Sequence, residues 1–567
     1  MAKTYIFAIG GTGARVMRSL TMLMASGIPG FDHNTEICPI IIDYDLDNGD
    51  KSRAVTAMNK YIKVRDLIVA GNADNDGFFS SKIVRLPYVQ DFQWQFGIGD
   101  NTKTFADHIG YDQLDNTIPS TKKLIESFYD SSKDSEYTEL NLNMKMGFQG
   151  NPNIGSVVFD HLSEDSEFNS FKDAFDPKSD RVVIIGSLFG GTGASGIPAL
   201  ITAMHNPDAA QNLKKANIAV VMVLPYFGVG SDKENFSVKS SIFNTKTKAA
   251  LNYYELSGQN KLINSIYYVG DKVLSIVEPH LGDKDQKNAA HPVEMICAMA
   301  VSHFVTQHTI QDLEFNNPAV QHSKYKFVAG TDITDGISFA DIVGEDRVRN
   351  EFVAKTMHNM IDFSLMMKYF NDELINNDTN RRFGRVQWYQ ELGMQNFDRK
   401  DLPSDSNSNP LQDFCAALYS FYCFSKSEDI PNDDGYVQWL QEMHRRDQHH
   451  GVHALKFFNF NCDNIATFIP ECPFVDKKNR PLSAYSYKDA FDSSMENALY
   501  DQNHFQRGEG IKTKPEKLPW VLIDTMRKAV FTEEKNKDGK LNPCIRRFGT
   551  KDEKKPSEIH QKFAQLP

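Results

Sequence analysis

The chain is short of the features that mark disulfide-bonded and zinc-stabilised proteins. It has seven cysteines in 567 residues, and no two of them form a Cys-x-x-Cys pair. This odd, scattered set argues against a disulfide framework or a structural zinc site. A histidine-rich stretch, His444–His453, also matches no metal-ligand spacing. We therefore predict no metal centre built from these residues, and we expect a reduced, cytoplasmic protein.

Long hydrophobic runs and an excess of positive charge are missing as well. No segment approaches the roughly 20 apolar residues of a membrane span, and Met1–Thr4 leads straight into a strand-like run. The formal net charge of -12 argues against nucleic-acid binding by the chain as a whole. We expect no membrane span, no signal peptide and no strong nucleic-acid interaction.

Two glycine-rich turns are the most informative features that are present. Gly10–Arg15 follows the apolar run Tyr5–Ile9, and Gly190–Gly196 follows Val182–Ile185. Apolar, β-branched runs of this length are typical of buried parallel strands, and a helical pattern follows each turn. Glycine lets backbone N–H groups approach a phosphate, and a helix N-terminus adds partial positive charge. Each turn is a candidate anion site, although an ordinary strand-to-helix turn is an equal alternative for the first one.

The second turn resembles the Gly-Gly-Gly-Thr-Gly-Ser-Gly signature of the tubulin and FtsZ superfamily. The order of segments is similar too: the first turn, the acidic strand end Ile40–Asp45, the second turn, and then Val220–Phe227. This resemblance implies an α/β fold with a doubly wound, mostly parallel sheet. It also implies a central helix and a second α+β domain.

The same resemblance divides the chain into two predicted domains. A tubulin/FtsZ-like nucleotide-binding domain is expected at residues 1–312, with an insertion at about 50–180. A C-terminal domain is expected at 313–567, with a charged tail from about 535 to 567 that is a candidate for binding a protein partner.

Particular residues are implied to contact a nucleotide. Asp43 and Asp45 match a strand end that contacts ribose or magnesium, and Pro225 lies in a turn that leads to the ribose. Arg15 stands where FtsZ has a base-facing residue, and Asn288 precedes the predicted central helix, from which the family reads the base. The implied cofactors are GTP or GDP with Mg²⁺. The chain differs from the family at the base-reading positions, so ATP is an alternative ligand.

Phosphate contacts are implied mainly for the two turns. They involve Gly10, Gly11, Thr12 and Gly13 in the first turn, and Gly190, Gly191, Thr192, Gly193, Ala194, Ser195 and Gly196 in the second. By position and composition, Gly97–Asn101 is a candidate for a further phosphate-contacting loop.

Members of the superfamily complete hydrolysis between subunits, so the resemblance implies a GTPase that assembles head to tail into filaments or oligomers. Asp341 lies in a run similar to the catalytic segment of FtsZ, and Asp332 and Asp335 stand just upstream. A carboxylate there can orient a water molecule and take its proton. A solvated turn is the alternative interpretation of the same residues.

Two other functions are compatible with these motifs. One is a non-polymerising nucleotide switch or scaffold in a bacterial defence or conflict system. The other is an adenylating enzyme of the ubiquitin-activating type, indicated by the first turn together with Asp43, Asp45 and Arg53. A dinucleotide-binding Rossmann domain fits the same residues more loosely. Neither of the last two accounts for the second glycine turn.

Overall fold

A computed structural model of the chain describes residues 2–307, apart from 29, 32–33, 46, 70–78, 95–103, 115–118, 130–138, 207–210, 231–239, 272, 274, 278–283, 285, 287 and 289. Beyond 307 it describes only 325–328, 390, 534–535 and 541–542. The predicted C-terminal domain therefore lies almost wholly outside the described residues.

The described residues form ten strands and nine α-helices up to residue 328. The strands are β1 (Ala2–Ile9), β2 (Thr35–Ile42), β3 (Lys82–Ile83), β4 (Gln93–Trp94), β5 (Arg181–Ser187), β6 (Asn217–Val223), β7 (Phe227–Val229), β8 (Ser265–Val269), β9 (Ser275–Val277) and β10 (Tyr325–Val328). The helices are α1 (Gly10–Ala25), α2 (Gly49–Val69), α3 (Phe105–His108), α4 (Pro119–Phe128), α5 (Pro152–Val158), α6 (Ser166–Ala174), α7 (Gly191–His205), α8 (Phe243–Ser257) and α9 (Pro292–Gln307).

Eight of these strands form one sheet in which every described pairing is parallel. The order across the sheet is β10-β8-β6-β5-β1-β2-β3, and β4 also pairs with β2. The prediction of an α/β fold with a mostly parallel sheet is thereby confirmed. From β1 the chain moves to β2 on one side, whereas from β5 it moves to β6 on the other. The strand order thus reverses between β1 and β5, and open α/β sheets bind ligands beyond the carboxyl ends of the strands at such a point.

The central strands are apolar because both faces of the sheet are covered. Every residue of β5 and β6 is buried. Tyr5, Phe7 and Ile9 belong to a core cluster with residues of α6 and α7, such as Phe171 and Ile197. Successive strand residues point to opposite faces, so the alternate residues of β1 face the other layer, where α1 packs against α9.

The segment expected as an insertion is built into this architecture. It contributes α2 through α6, and its strands β3 and β4 extend the sheet in parallel from β2. None of the described helices is long and apolar enough to cross a bilayer.

Candidate functional site: a cavity between the two glycine turns

A cavity of about 170 Å³ lies where the strand order reverses. Both glycine turns contribute to its wall, because β1 and β5 are neighbours and their carboxyl ends meet at the same edge. Its described lining is Gly10, Gly11, Thr12, Asp43, Asp45, Asn48, Met146, Gly147, Phe148, Gln149, Gly150, Ser187, Phe189, Gly190, Gly191, Thr192, Gly193, Phe227, Val229, Phe243, Val277, Gln286 and Asn288.

Two helix N-termini open into this cavity. Helix α1 begins at Gly10, whose φ of +73° is a conformation that L side chains rarely adopt. Helix α7 begins at Gly191, after the extended residue Gly190. Within the described part of the chain, neither helix has a capping side-chain hydrogen bond or an acidic residue in its first turn. The first N–H groups of both helices therefore offer hydrogen bonds and partial positive charge to an anion.

The third glycine of each turn serves packing. A Cβ atom at Gly13 would lie 2.7 Å from the carbonyl carbon of Ala8, and one at Gly193 would lie 2.6 Å from the carbonyl oxygen of Ser187. Both glycines therefore let a helix start directly against the strand before it.

The end of the second turn faces the protein interior. A Cβ atom at Gly196 would lie 2.7 Å from Cγ2 of Ile9, and the Ser195 hydroxyl donates to the Gly191 carbonyl at 2.8 Å. Among the predicted phosphate contacts, Gly13, Ala194, Ser195 and Gly196 are not among the described lining residues.

Two buried carboxylates at the end of β2 line the cavity. Asp43 and Asp45 are 6% and 4% exposed. The Asp45 amide donates to Oδ1 of Asp43 at 3.2 Å, while Oδ2 of Asp43 has no hydrogen-bond partner among the described residues. Burial raises the pKa of the Asp43 carboxyl to about 7, although the ammonium of Lys51 opposes the rise.

A cation that also bound phosphate oxygens would fit these carboxylates. No group of three or more His, Cys, Asp or Glu side chains within the described residues can hold a metal ion. Mg²⁺ commonly takes only one or two carboxylates and completes its shell with substrate phosphates and water. Asp43, with its unpartnered oxygen, and Asp45 would contribute such ligands, and Mg²⁺ bound there would neutralise phosphate charge.

The N-terminus of α2 holds the segment that leads to α9. The Asn48 side chain accepts from the amides of Asp50 and Lys51 and donates to Oε1 of Gln286 at 3.1 Å. The Asp50 carboxylate accepts from the Asn288 amide at 3.2 Å, and Arg53 bridges Asp50 to the Asn288 carbonyl. Asn288, the predicted base contact, thus lines the cavity in a fixed position. Asn48 and Gln286, which the motifs did not indicate, line it as well.

A loop of the 50–180 segment forms another part of the cavity wall. Met146–Gly150 line the cavity, and φ is positive at Gly147, Gln149 and Gly150. The loop touches the second turn, because a Cβ atom at Gly191 would lie 2.9 Å from Cβ of Phe148. Its two glycines, close before a proline in the first turn of α5, are the signal that could have marked it. The predicted loop at Gly97–Asn101 lies outside the described residues.

Arg15 points to α9. Its guanidinium pairs with the carboxylate of Glu294, which also accepts from the Tyr226 hydroxyl at 2.9 Å and from the His291 amide at 3.3 Å. All four residues are buried. Burial and the nearby guanidinium hold the pKa of His291 well below its usual value, so this imidazole is neutral. Arg15 is not among the described lining residues, which differs from its expected place facing a base.

Some of the predicted site residues line the cavity and others do not. Gly10, Gly11, Thr12, Asp43, Asp45, Gly190, Gly191, Thr192, Gly193 and Asn288 line the cavity. Pro225, between β6 and β7, is not part of the described lining. The candidate catalytic residues Asp332, Asp335 and Asp341 lie outside the described residues.

Comparison with known proteins does not assign a function to the chain. No protein-family model matches the chain, and no curated protein matches it either. What this chain shows directly is a parallel α/β sheet with two uncapped helix N-termini and two buried carboxylates around one cavity at the reversal of its strand order.

Proposed function

We propose that the protein binds a nucleoside di- or triphosphate in this cavity, as a divergent tubulin/FtsZ-like GTPase that self-assembles into filaments or oligomers. The observation that carries the proposal is the convergence of the N-termini of α1 and α7 on one cavity. A single phosphate needs only one such terminus, whereas two termini on adjacent strands suit a chain of phosphates.

The surroundings of the two turns support the same ligand. Asp43 and Asp45 line the cavity together with the turns, where a Mg²⁺ ion bound to phosphates would neutralise charge. Amide groups of Asn48 and Gln286 lie next to Gly11, and Asn288 also lines the cavity. These amides can hydrogen-bond to the sugar or the base.

The path of the chain supports the tubulin-like form of the proposal. Helix α9 packs against α1, and the segment before it reaches the cavity through Asn288. A helix in this position can respond to the bound ligand and transmit that response to the part of the chain that follows it. Hydrolysis between subunits, with Asp341, Asp335 or Asp332 orienting the water molecule, is the part of the proposal that comes from the family resemblance alone.

A first experiment tests turnover and assembly together. The protein is incubated with GTP, ATP or GDP over a series of protein concentrations, while phosphate release, light scattering and nucleotide retention are followed. Turnover that rises steeply with scattering supports an assembling GTPase. Retention without turnover or assembly supports a nucleotide switch or scaffold instead, and ATP consumption with pyrophosphate release supports an adenylating enzyme.

Gly11 offers a matched pair of variants for the site itself. A Cβ atom there would come no closer than 3.4 Å to its nearest neighbour, the amide nitrogen of Asn48, so Gly11→Ala fits without strain. Gly11→Asp adds a negative charge to the glycine turn that is expected to hold the phosphates. We expect Gly11→Asp to lose at least about 100-fold in nucleotide affinity, since like charges repel strongly at short range, while Gly11→Ala binds nearly as wild type. Equal affinity for the two folded variants would refute the site.

A further inference from the structure

Two of the walls of the cavity differ chemically. One consists of the glycine turns, the β2 carboxylates and the amide side chains described above. The other is apolar, and its described members are Phe189, Phe227, Val229, Phe243 and Val277. The two walls are continuous, because Phe189 directly precedes Gly190 of the second turn. A ligand that fills the whole cavity therefore needs an anionic end and an apolar end.

The apolar wall is built around aromatic rings in fixed contact. Phe189 packs against Phe227 and Phe243, with ring centroids 5.6 and 4.9 Å apart. Phe189 and Phe243 are each only 4% exposed, whereas Phe227 on β7 is partly exposed. Of these three rings, Phe227 is the one that offers the most surface to a ligand.

Several contacts hold the Phe227 ring in place. The Tyr226 ring meets it edge to face at 4.9 Å, and the Arg15 guanidinium carbon lies 5.7 Å from its centroid. Phe227 lines the cavity and Arg15 does not, so the cation supports the ring from behind. Arg15 is itself anchored by its ion pair with Glu294. Val229 and Val277, on the paired strands β7 and β9, continue the apolar surface beyond the ring.

We infer that Phe227, with Val229 and Val277, is the docking surface for the planar base of the ligand, so that the site selects nucleotides over inorganic polyphosphates. This inference rests on the proposed function and adds the orientation of the ligand. The phosphates lie against the glycine turns, and the base lies against β7 and β9. An aromatic ring stacks on any base, so this wall recognises a base without choosing between guanine and adenine.

Comparing a nucleotide with a ligand that lacks the base tests the inference. Affinities for GTP, ATP and inorganic triphosphate are measured by calorimetry for the wild type, Phe227→Leu and Phe227→Trp. We expect Phe227→Leu to lose about 10-fold to 100-fold in affinity for both nucleotides, since base–aromatic stacking is of that strength. Its affinity for triphosphate should stay unchanged, and Phe227→Trp should retain nucleotide binding.

Controls separate failure of the inference from failure of the proposed function. Phe128→Leu removes an aromatic ring that is 68% exposed on α4 and absent from the described cavity lining, and it should change none of the affinities. Thermal melting checks that each variant is folded. If Phe227→Leu weakens triphosphate as much as nucleotide, or weakens neither, the inference is wrong although the cavity still binds phosphates. If wild-type protein binds no nucleotide and no triphosphate, the proposed function itself is wrong.

Discussion

The two glycine turns have the same five residues, Gly-Gly-Thr-Gly-Ala, at 10–14 and at 190–194, yet they are used differently. Each follows a central strand and begins a helix, and in each the third glycine allows close packing against that strand. The second glycine differs, because Gly11 has room beside it whereas Gly191 is packed against the loop at 146–150. Identical local sequence thus gives the same strand-to-helix order, but the backbone differs at the first glycine, which has a φ of +73° at Gly10 and is extended at Gly190. The neighbours decide what each residue does.

The residue after each pentapeptide shows the difference most clearly. Arg15 forms a buried ion pair with Glu294 of α9, whereas Ser195 donates to the Gly191 carbonyl of its own helix. The first turn is therefore tied to a distant helix, and the corresponding position of the second turn makes a local bond.

Removing the charge at the first of these positions should have the largest effect. Arg15→Met leaves the Glu294 carboxylate buried without its cation, so we expect the free energy of unfolding to fall by about 3 to 5 kcal/mol. Ser195→Ala should lower it by about 1 kcal/mol, since it removes one neutral hydrogen bond. Urea denaturation measures both. Equal losses would show that the ion pair contributes no more than the serine bond.

The loss in Arg15→Met should also depend on pH. Burial raises the pKa of Glu294 and Arg15 opposes that rise, so the pKa of the folded protein should be higher in the variant. A folded pKa above the unfolded one gives stability that is fully present below the unfolded pKa and is lost as pH rises through the folded pKa. The deficit relative to wild type should therefore grow from pH 5 to pH 8. The double variant Arg15→Met/Glu294→Gln should show no such growth.

Alanine at the third glycines should affect the two turns alike. A methyl group at either Gly13 or Gly193 would overlap backbone atoms less than 2.8 Å away, and backbone cannot easily move aside. We expect Gly13→Ala and Gly193→Ala each to lower the free energy of unfolding by about 2 to 3 kcal/mol. Thermal and urea unfolding test this. A large loss for one variant with none for the other would mean that the two turns do not share their packing role.

Alanine at the second glycines should separate the turns by a smaller amount. Gly191→Ala brings a methyl group to 2.9 Å from Cβ of Phe148 and should cost about 1 kcal/mol. Gly11→Ala meets only an ordinary contact and should change the free energy of unfolding by less than about 0.5 kcal/mol. Equal stability of Gly191→Ala and Gly11→Ala would show that the loop at 146–150 does not constrain the second turn.

Local pattern was sufficient to predict the parts of the site that follow directly from strands. The apolar runs before the turns are the central strands β1 and β5, and Asp43 and Asp45 lie at the end of β2. Because parallel strands place their carboxyl ends at the same edge, these residues gather around one cavity. The loop at 146–150 was not predicted as part of the cavity, because it follows short helical turns at 139–141 and 144–146 and not a strand of the sheet.

By itself, then, the sequence determined the strand–turn–helix units and the acidic strand end, because apolar periodicity and glycine act through backbone geometry over a few residues. Only the tertiary structure decided that Arg15 faces Glu294, that Asn48 and Gln286 join the cavity wall, and that Phe227 forms its apolar side. Those outcomes depend on which distant elements pack together. The choice of packing partners depends on the buried area and the charges of whole surfaces, and a short stretch of sequence does not contain that information.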